Sequence, residues 1–177
     1  MKKPIALLDA CVLYPFSVRD VLIQFSFEEI YQAKWSKKIE AEVIRNVEMN
    51  NPTTKGKLCR TFKLMEDAVP DFSAEPSPAA IQEVTSTETD PKDVEILAAA
   101  IENACTHLVT FNLKDFDIAY ALGRRVSVIH PDEFLEWLID NNSSAAKIGF
   151  DAVVARCKNP PRSKSDYYNA IKNAGSA

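Results

Sequence analysis

Histidine is nearly absent from this chain, which has only His107 and His130, neither at metal-ligand spacing. Its four cysteines, Cys11, Cys59, Cys105 and Cys157, are far apart and form no C-x-x-C pair. These two shortages argue against a zinc site built on His and Cys. The same spacing makes a poor disulfide framework, so a reduced, cytoplasmic setting is expected. Cys11 and Cys105 lie in apolar segments and are expected to be buried small hydrophobes. No apolar run is long enough to span a bilayer, so no membrane role is expected. The start, Met1-Lys-Lys-Pro4, has basic residues, but the apolar run after it is interrupted at Asp9, which does not fit a signal peptide. Internal repeats, low-complexity segments and an aromatic-rich RNA platform are also lacking. Nor is there an excess of positive charge. The net charge of −4 argues against non-specific coating of DNA. It does not exclude a metal-dependent nuclease, whose acidic site meets phosphates through cations and local basic patches.

What is present is an ordinary globular composition, 46% apolar and 26% charged over 177 residues, enough for one domain with a sizeable core. Ile5-Ala-Leu-Leu8 reads as a first, central strand ending at Asp9, followed by a loop to Ser17. Val18 to Phe27 has helical spacing. Ser36 is a good N-cap for a helix over Lys37 to Met49, with Ile39, Val43 and Val47 on one face and Glu42 beside that stripe. Glu40 falls on the outer face. Thr53 or Thr54 caps a second helix to about Asp67, with Leu58, Phe62 and Met65 facing inward. Val69 to Pro78 reads as a surface connection. Asp90 and Pro91 predict an N-cap and first helical position, which places Asp93 in the first turn. His107 to Thr110 is short, apolar and partly β-branched, hence a buried strand. A polar loop carries Asn112 and Asp115, and Arg125 to Ile129 is a further strand. Helices follow Pro131, with a break at Asn159-Pro160-Pro161 and a last helix capped by Ser163 or Ser165. Strands apolar on both faces alternating with helices predict a three-layer α/β/α fold with a mostly parallel sheet. Residues 1–140 form this domain, and 141–177 a helical C-terminal extension packed on it.

Ligands of open parallel sheets bind outside the carboxyl ends of the strands. Asp9 and Asp115 are expected there, with Asn112 nearby, Asp93 at a helix start and Glu42 on an adjoining helix. Asp90 competes for the role of Asp93. Carboxylates gathered without basic partners repel each other and call for a cation. Oxygen donors suit Mg²⁺ or Mn²⁺, which can activate water and stabilise charge on a phosphoryl group. A rival in which Asp9 is a phosphatase nucleophile lacks the second Asp two residues on.

Several segments together carry a resemblance. They are Leu7-Leu-Asp-Ala-Cys-Val-Leu13, Val18-Arg-Asp20, Trp35-Ser36 with Glu42-Val-Ile-Arg-Asn46, and Asp90-Pro-Lys-Asp93 with Ile96-Leu-Ala-Ala-Ala100. Leu108-Val-Thr-Phe-Asn-Leu-Lys-Asp-Phe116 and His130-Pro-Asp-Glu-Phe134 complete the set. In order and spacing, roughly residues 5 to 140 resemble the PIN-domain ribonucleases, of the VapC-like kind that act as toxins in type II toxin–antitoxin systems. The resemblance implies a Mg²⁺- or Mn²⁺-dependent endoribonuclease. Its acids would be Asp9, Glu42 and Asp93, with Asn112 and Asp115 sharing the fourth position. Asp9, Asp93 and Asp115, with Asn112, would hold the metal. Glu42 would bind the ion or orient the attacking water, and Thr110 would support the site. The products would be a 5′-phosphate and a 3′-hydroxyl. Asn112 stands where many members have Asp, and Val94-Glu95 where Arg-His is expected. These departures define the alternative, a PIN-like domain that binds RNA or protein without cleaving.

Lys55, Lys57, Arg60 and Lys63 share one helix face and are the expected RNA-phosphate contacts. The resemblance also implies a small antitoxin partner and pairing of two copies as a homodimer.

Overall fold

A computed structural model of the chain describes residues 3–158 and 161–174. Strand β1 spans Ile5–Leu8, and three of its four residues are buried. A single helical turn, α1 (Ala10–Leu13), follows at once, then α2 (Phe16–Phe27). Strand β2 is Gln32–Lys34 and α3 is Lys37–Asn50. Helices α4 (Lys57–Ala68), α5 (Pro78–Val84) and α6 (Val94–Glu102) come next, then β3 (His107–Val109). Helix α7 (Ile118–Gly123), β4 (Ser127–Ile129), α8 (Pro131–Asn141), α9 (Ser143–Arg156) and α10 (Lys164–Lys172) complete the chain.

The four strands form one all-parallel sheet in the order β2-β1-β3-β4, the centre of a three-layer α/β/α fold. The chain runs outward from β1 to β2, then crosses back to β3 on the other side of β1. The strand order therefore reverses between β1 and β3, and the crevice at their carboxyl ends is where such sheets bind ligands. Helix α6 packs on β1 and β3 and is covered by α5. Helix α2 packs on β2 and against α9 and α10. The core holds Leu7, Leu8, Leu97, Leu108 and Val109 at the sheet, with Trp35 stacked on Phe72 at 4.7 Å. Among the described residues no helix is long and apolar enough to cross a membrane.

Several local expectations differ from what forms. The loop after Asp9 begins with the turn α1, because the Asp9 carboxylate and carbonyl cap it. Neither Thr53 nor Thr54 caps α4; both lie in a short 3-10 turn, and Gly56, at φ +75°, starts the helix instead. Val69 to Pro78 is more than a surface connection: Val69 and Ala74 are buried, and Trp35 bridges Ser73 in parallel fashion, so this segment covers the β2 edge. Ser36 caps α3 as its sequence predicts, accepting from Ile39 N at 3.2 Å. Ser163 forms a capping box with Asp166 at the start of α10. The expected break at Asn159-Pro160-Pro161 falls mainly outside the described residues.

Candidate active site

Asp9 is fixed first. Its backbone N–H donates to Val109 O at 3.1 Å, which extends the β1–β3 ladder by one residue. The residue is 5% exposed, and three donors reach its side chain. Ala10 N donates to Oδ1 at 2.6 Å; the Thr110 hydroxyl at 2.7 Å and the Cys11 thiol at 3.1 Å donate to Oδ2. Thr110 is fully buried and follows β3 directly, as Asp9 follows β1. Its oxygen also accepts from Asn112 N at 3.0 Å, so one hydroxyl sets both Asp9 and the start of the Asn112 loop.

Asp93 and Asp115 arrive on two loops that are stitched together. Asp90 N donates to Asp115 O at 2.8 Å, Asp117 N to Thr89 Oγ1 at 3.1 Å, and Glu88 N to Asp117 Oδ2 at 3.3 Å. Asp115 lies in a short 3-10 turn, Leu113–Asp115, anchored by the buried Phe116. The same stitching corrects the expected helix start. Asp90 and Pro91 sit in a turn, with Lys92 N donating to Asp90 Oδ1 at 2.9 Å, and α6 begins only after Asp93. Asp93 is thus the N-cap residue rather than a first-turn residue. Its side chain makes no capping bond, although Asp is a favoured cap.

That carboxyl is both partly buried and close to like charge. Burial pushes the Asp93 carboxyl from its usual 3.8 up to about 6, and the charges of Asp9, Asp115, Asp90 and Glu42 push it the same way. Five acids therefore share one region. Glu42 reaches it from α3, whose Ile39 and Val43 are buried beneath it. Neighbouring acids are engaged elsewhere: Glu40 pairs with Lys37 at 2.8 Å, Glu95 with Lys38 at 2.9 Å, and Glu48 accepts from Gly56 N at 2.7 Å. Among the described residues, the carboxylates of Glu42, Asp93 and Asp115 have no such partner.

An open cleft of about 530 Å³ lies alongside, with Ala10, Cys11, Glu42 and Asn112 among its walls. Asn112 is exposed there, and its side chain makes no hydrogen bond among the described residues. No three His, Cys, Asp or Glu side chains among the described residues are gathered closely enough to hold one ion as they stand. The donor chemistry nevertheless fits a hard divalent cation: oxygen ligands, mutually repelling, with negative charges dominating the field at Asp93. Mg²⁺ keeps several waters and needs only one or two direct carboxylates.

Cys11 was expected to be a buried hydrophobe. It is half-buried and polar in function, donating to Asp9 and accepting from Phe111 N at 3.3 Å. Burial, with the charge of Asp9, pushes its thiol up to about 12, so it serves as a neutral donor. Asp117 and Thr89 were also missed, since their stitching is tertiary. Of the expected RNA contacts, Lys55 lies before α4 and not on its face, because the helix starts only after Gly56; Lys55, Lys57 and Arg60 are exposed, while Lys63 is paired with Glu66 at 3.7 Å and Asp67 at 3.4 Å. Compared with protein-family models, curated proteins and solved structures, the chain matches none.

Proposed function

We propose that this chain is a Mg²⁺- or Mn²⁺-dependent endoribonuclease, a PIN-like, VapC-type toxin restrained by a small antitoxin. The family, the toxin role and the partner rest on the sequence resemblance. The observation that carries the metal-dependent chemistry is geometric: Asp9, buried and held by Thr110 and Cys11, stands where the strand order reverses, with the carboxylates of Glu42, Asp93 and Asp115 near it and no basic partner on them among the described residues.

The ion, when bound, supplies an activated water and neutralises charge on the phosphodiester. Asp9, Asp93 and Asp115 would hold it, and the Asn112 carbonyl would add a neutral donor. Thr110 and Cys11 fix the Asp9 carboxylate, so that this ligand needs no reordering. Glu42, at the cleft wall, would orient the water for in-line attack, which would leave a 5′-phosphate and a 3′-hydroxyl. Exposed Lys55, Lys57 and Arg60 draw the RNA backbone toward the site.

The test is cleavage of total RNA by purified protein in Mn²⁺, with end mapping. Wild type is expected to leave 5′-phosphate ends, and Asp9→Asn to leave none. Wild-type cleavage by Asp9→Asn would remove the assignment. A second reading, an RNA- or protein-binding module without cleavage, is favoured by the spread of the acids. It predicts RNA binding with no metal-dependent cleavage in either protein.

A further inference from the structure

The cleft beside the acids has a composition that a phosphate site would not need. Its walls include the phenol of Tyr14, the ring of Phe111, the side chain of Met49 and the carboxamides of Asn46, Asn50 and Asn112. Glu42 is the single charged residue among its described lining residues. Lys55 and Lys57 are not among its lining residues. Glu42, Asn46, Met49 and Asn50 recur at spacings of three and four along α3, so one helical stripe forms this wall.

Two features give this wall a preference for a flat heteroaromatic ligand. Asn50 Nδ2 donates to the Tyr14 hydroxyl at 2.8 Å, which holds the 38%-exposed phenol in one place. Among the described residues, the Asn46 and Asn112 carboxamides make no hydrogen bond of their own. A carboxamide offers a donor and an acceptor side by side, the pattern that reads a base edge. Aromatic faces are what an unpaired base stacks on.

We propose that this cleft is a nucleobase pocket, in which one unpaired base next to the scissile phosphate lies against Tyr14 and Phe111 and has its edge read by Asn46. The inference deepens the ribonuclease reading and rests on it for the position of the phosphate. It makes this chain selective for sequence at one nucleotide and indifferent to duplex RNA, in which no base is free to enter.

The test is binding, which does not depend on cleavage. Asp9→Asn protein in Mg²⁺ is titrated with fluorescent oligo(A), oligo(C), oligo(G) and oligo(U), and anisotropy is read. The best of the four is expected to bind at least about tenfold tighter than the worst. Adding Asn46→Ala should shrink that spread to below about threefold, and the isosteric Asn46→Asp should reorder it. Tyr14→Ala should weaken all four, while Tyr14→Phe should keep most of the affinity. Circular dichroism of each variant confirms folding. Equal binding of the four oligomers, or an unchanged order in folded Asn46→Ala and Asn46→Asp, overturns the pocket. Absence of cleavage by wild type, with the base order intact, overturns the catalytic reading and leaves the pocket standing.

Discussion

Replacing Asp93 by Asn keeps the side chain's shape and removes one negative charge from a group of five. Near neutral pH the folded wild type holds that carboxyl ionised although its pKa is raised from 3.8 to about 6. The unfolded chain carries no such penalty. Two units of pKa correspond to roughly 3 kcal/mol at 1.36 kcal/mol per unit. Asp93 is only half-buried, so solvent screening brings this to about 1–2 kcal/mol. The sign follows from linkage. A carboxyl with a raised folded pKa makes the folded state bind the proton more tightly, so stability falls as pH rises from about 4 to about 6. The penalty is complete above the folded pKa and absent below the unfolded one. Asn does not titrate, so Asp93→Asn is expected to be the more stable protein at neutral pH in EDTA. With a urea slope of about 2 kcal/mol per molar, the midpoint should rise by roughly 0.5–1 M. Near pH 4 the two curves should converge. Saturating Mg²⁺ should narrow or reverse the gap, because the ion stabilises the protein with the fuller ligand set. A variant no more stable than wild type at neutral pH, or an advantage that persists unchanged at pH 4, would refute the reasoning.

Three further outcomes are expected. Thr110→Val removes the hydroxyl that donates to Asp9 Oδ2 and accepts from Asn112 N; it should cost about 1–3 kcal/mol in urea unfolding and weaken Mn²⁺ binding measured by calorimetry. Arg60→Ala should weaken RNA binding and lower the salt slope by about one, while Lys63→Ala should change it little, because Glu66 and Asp67 already neutralise that side chain. Gly149→Leu should lower the melting temperature through a loss of roughly 1–3 kcal/mol, since a Cβ there would sit 3.1 Å from the buried Phe25 ring and separate α9 from α2.

Features written in local sequence were legible. The apolar run Ile5 to Leu8 ends at the acid that the sheet presents, and Ser36 caps α3 as its position foretells. The parallel sheet followed from strands apolar on both faces. What was not legible depends on residues distant in the chain. Cys11 looked apolar because its neighbours are, yet its partner Thr110 lies 99 residues away. Asp90-Pro91 has the local form of a helix start, but the bond from Asp90 N to Asp115 O pulls it into a turn and moves the cap to Asp93. Local rules placed Asp9 and Asp115 after their strands and Glu42 on α3, but could not say which acids neighbouring cations would neutralise.

Mutual repulsion among neighbouring carboxylates, not the lack of a cation alone, sets the candidate site apart. The chain has 21 basic and 25 acidic residues, and some carboxylates pair with a cation. Glu40, Glu66 and Glu95 do, through Lys37 and Lys38. Glu48 and Asp117 are used on backbone N–H groups. Asp93 differs in being half-buried among other acids. A fold with Lys38 one turn from Glu42 on α3 pairs that lysine with Glu95, on the outward side of α6, and leaves the acids at the carboxyl ends of β1 and β3 to repel one another. Repulsion of that kind lowers stability, and a single Asp-to-Asn change would relieve it. Its presence at the reversal of strand order, where parallel sheets bind ligands, is a local cost in stability that the proposed cation would offset.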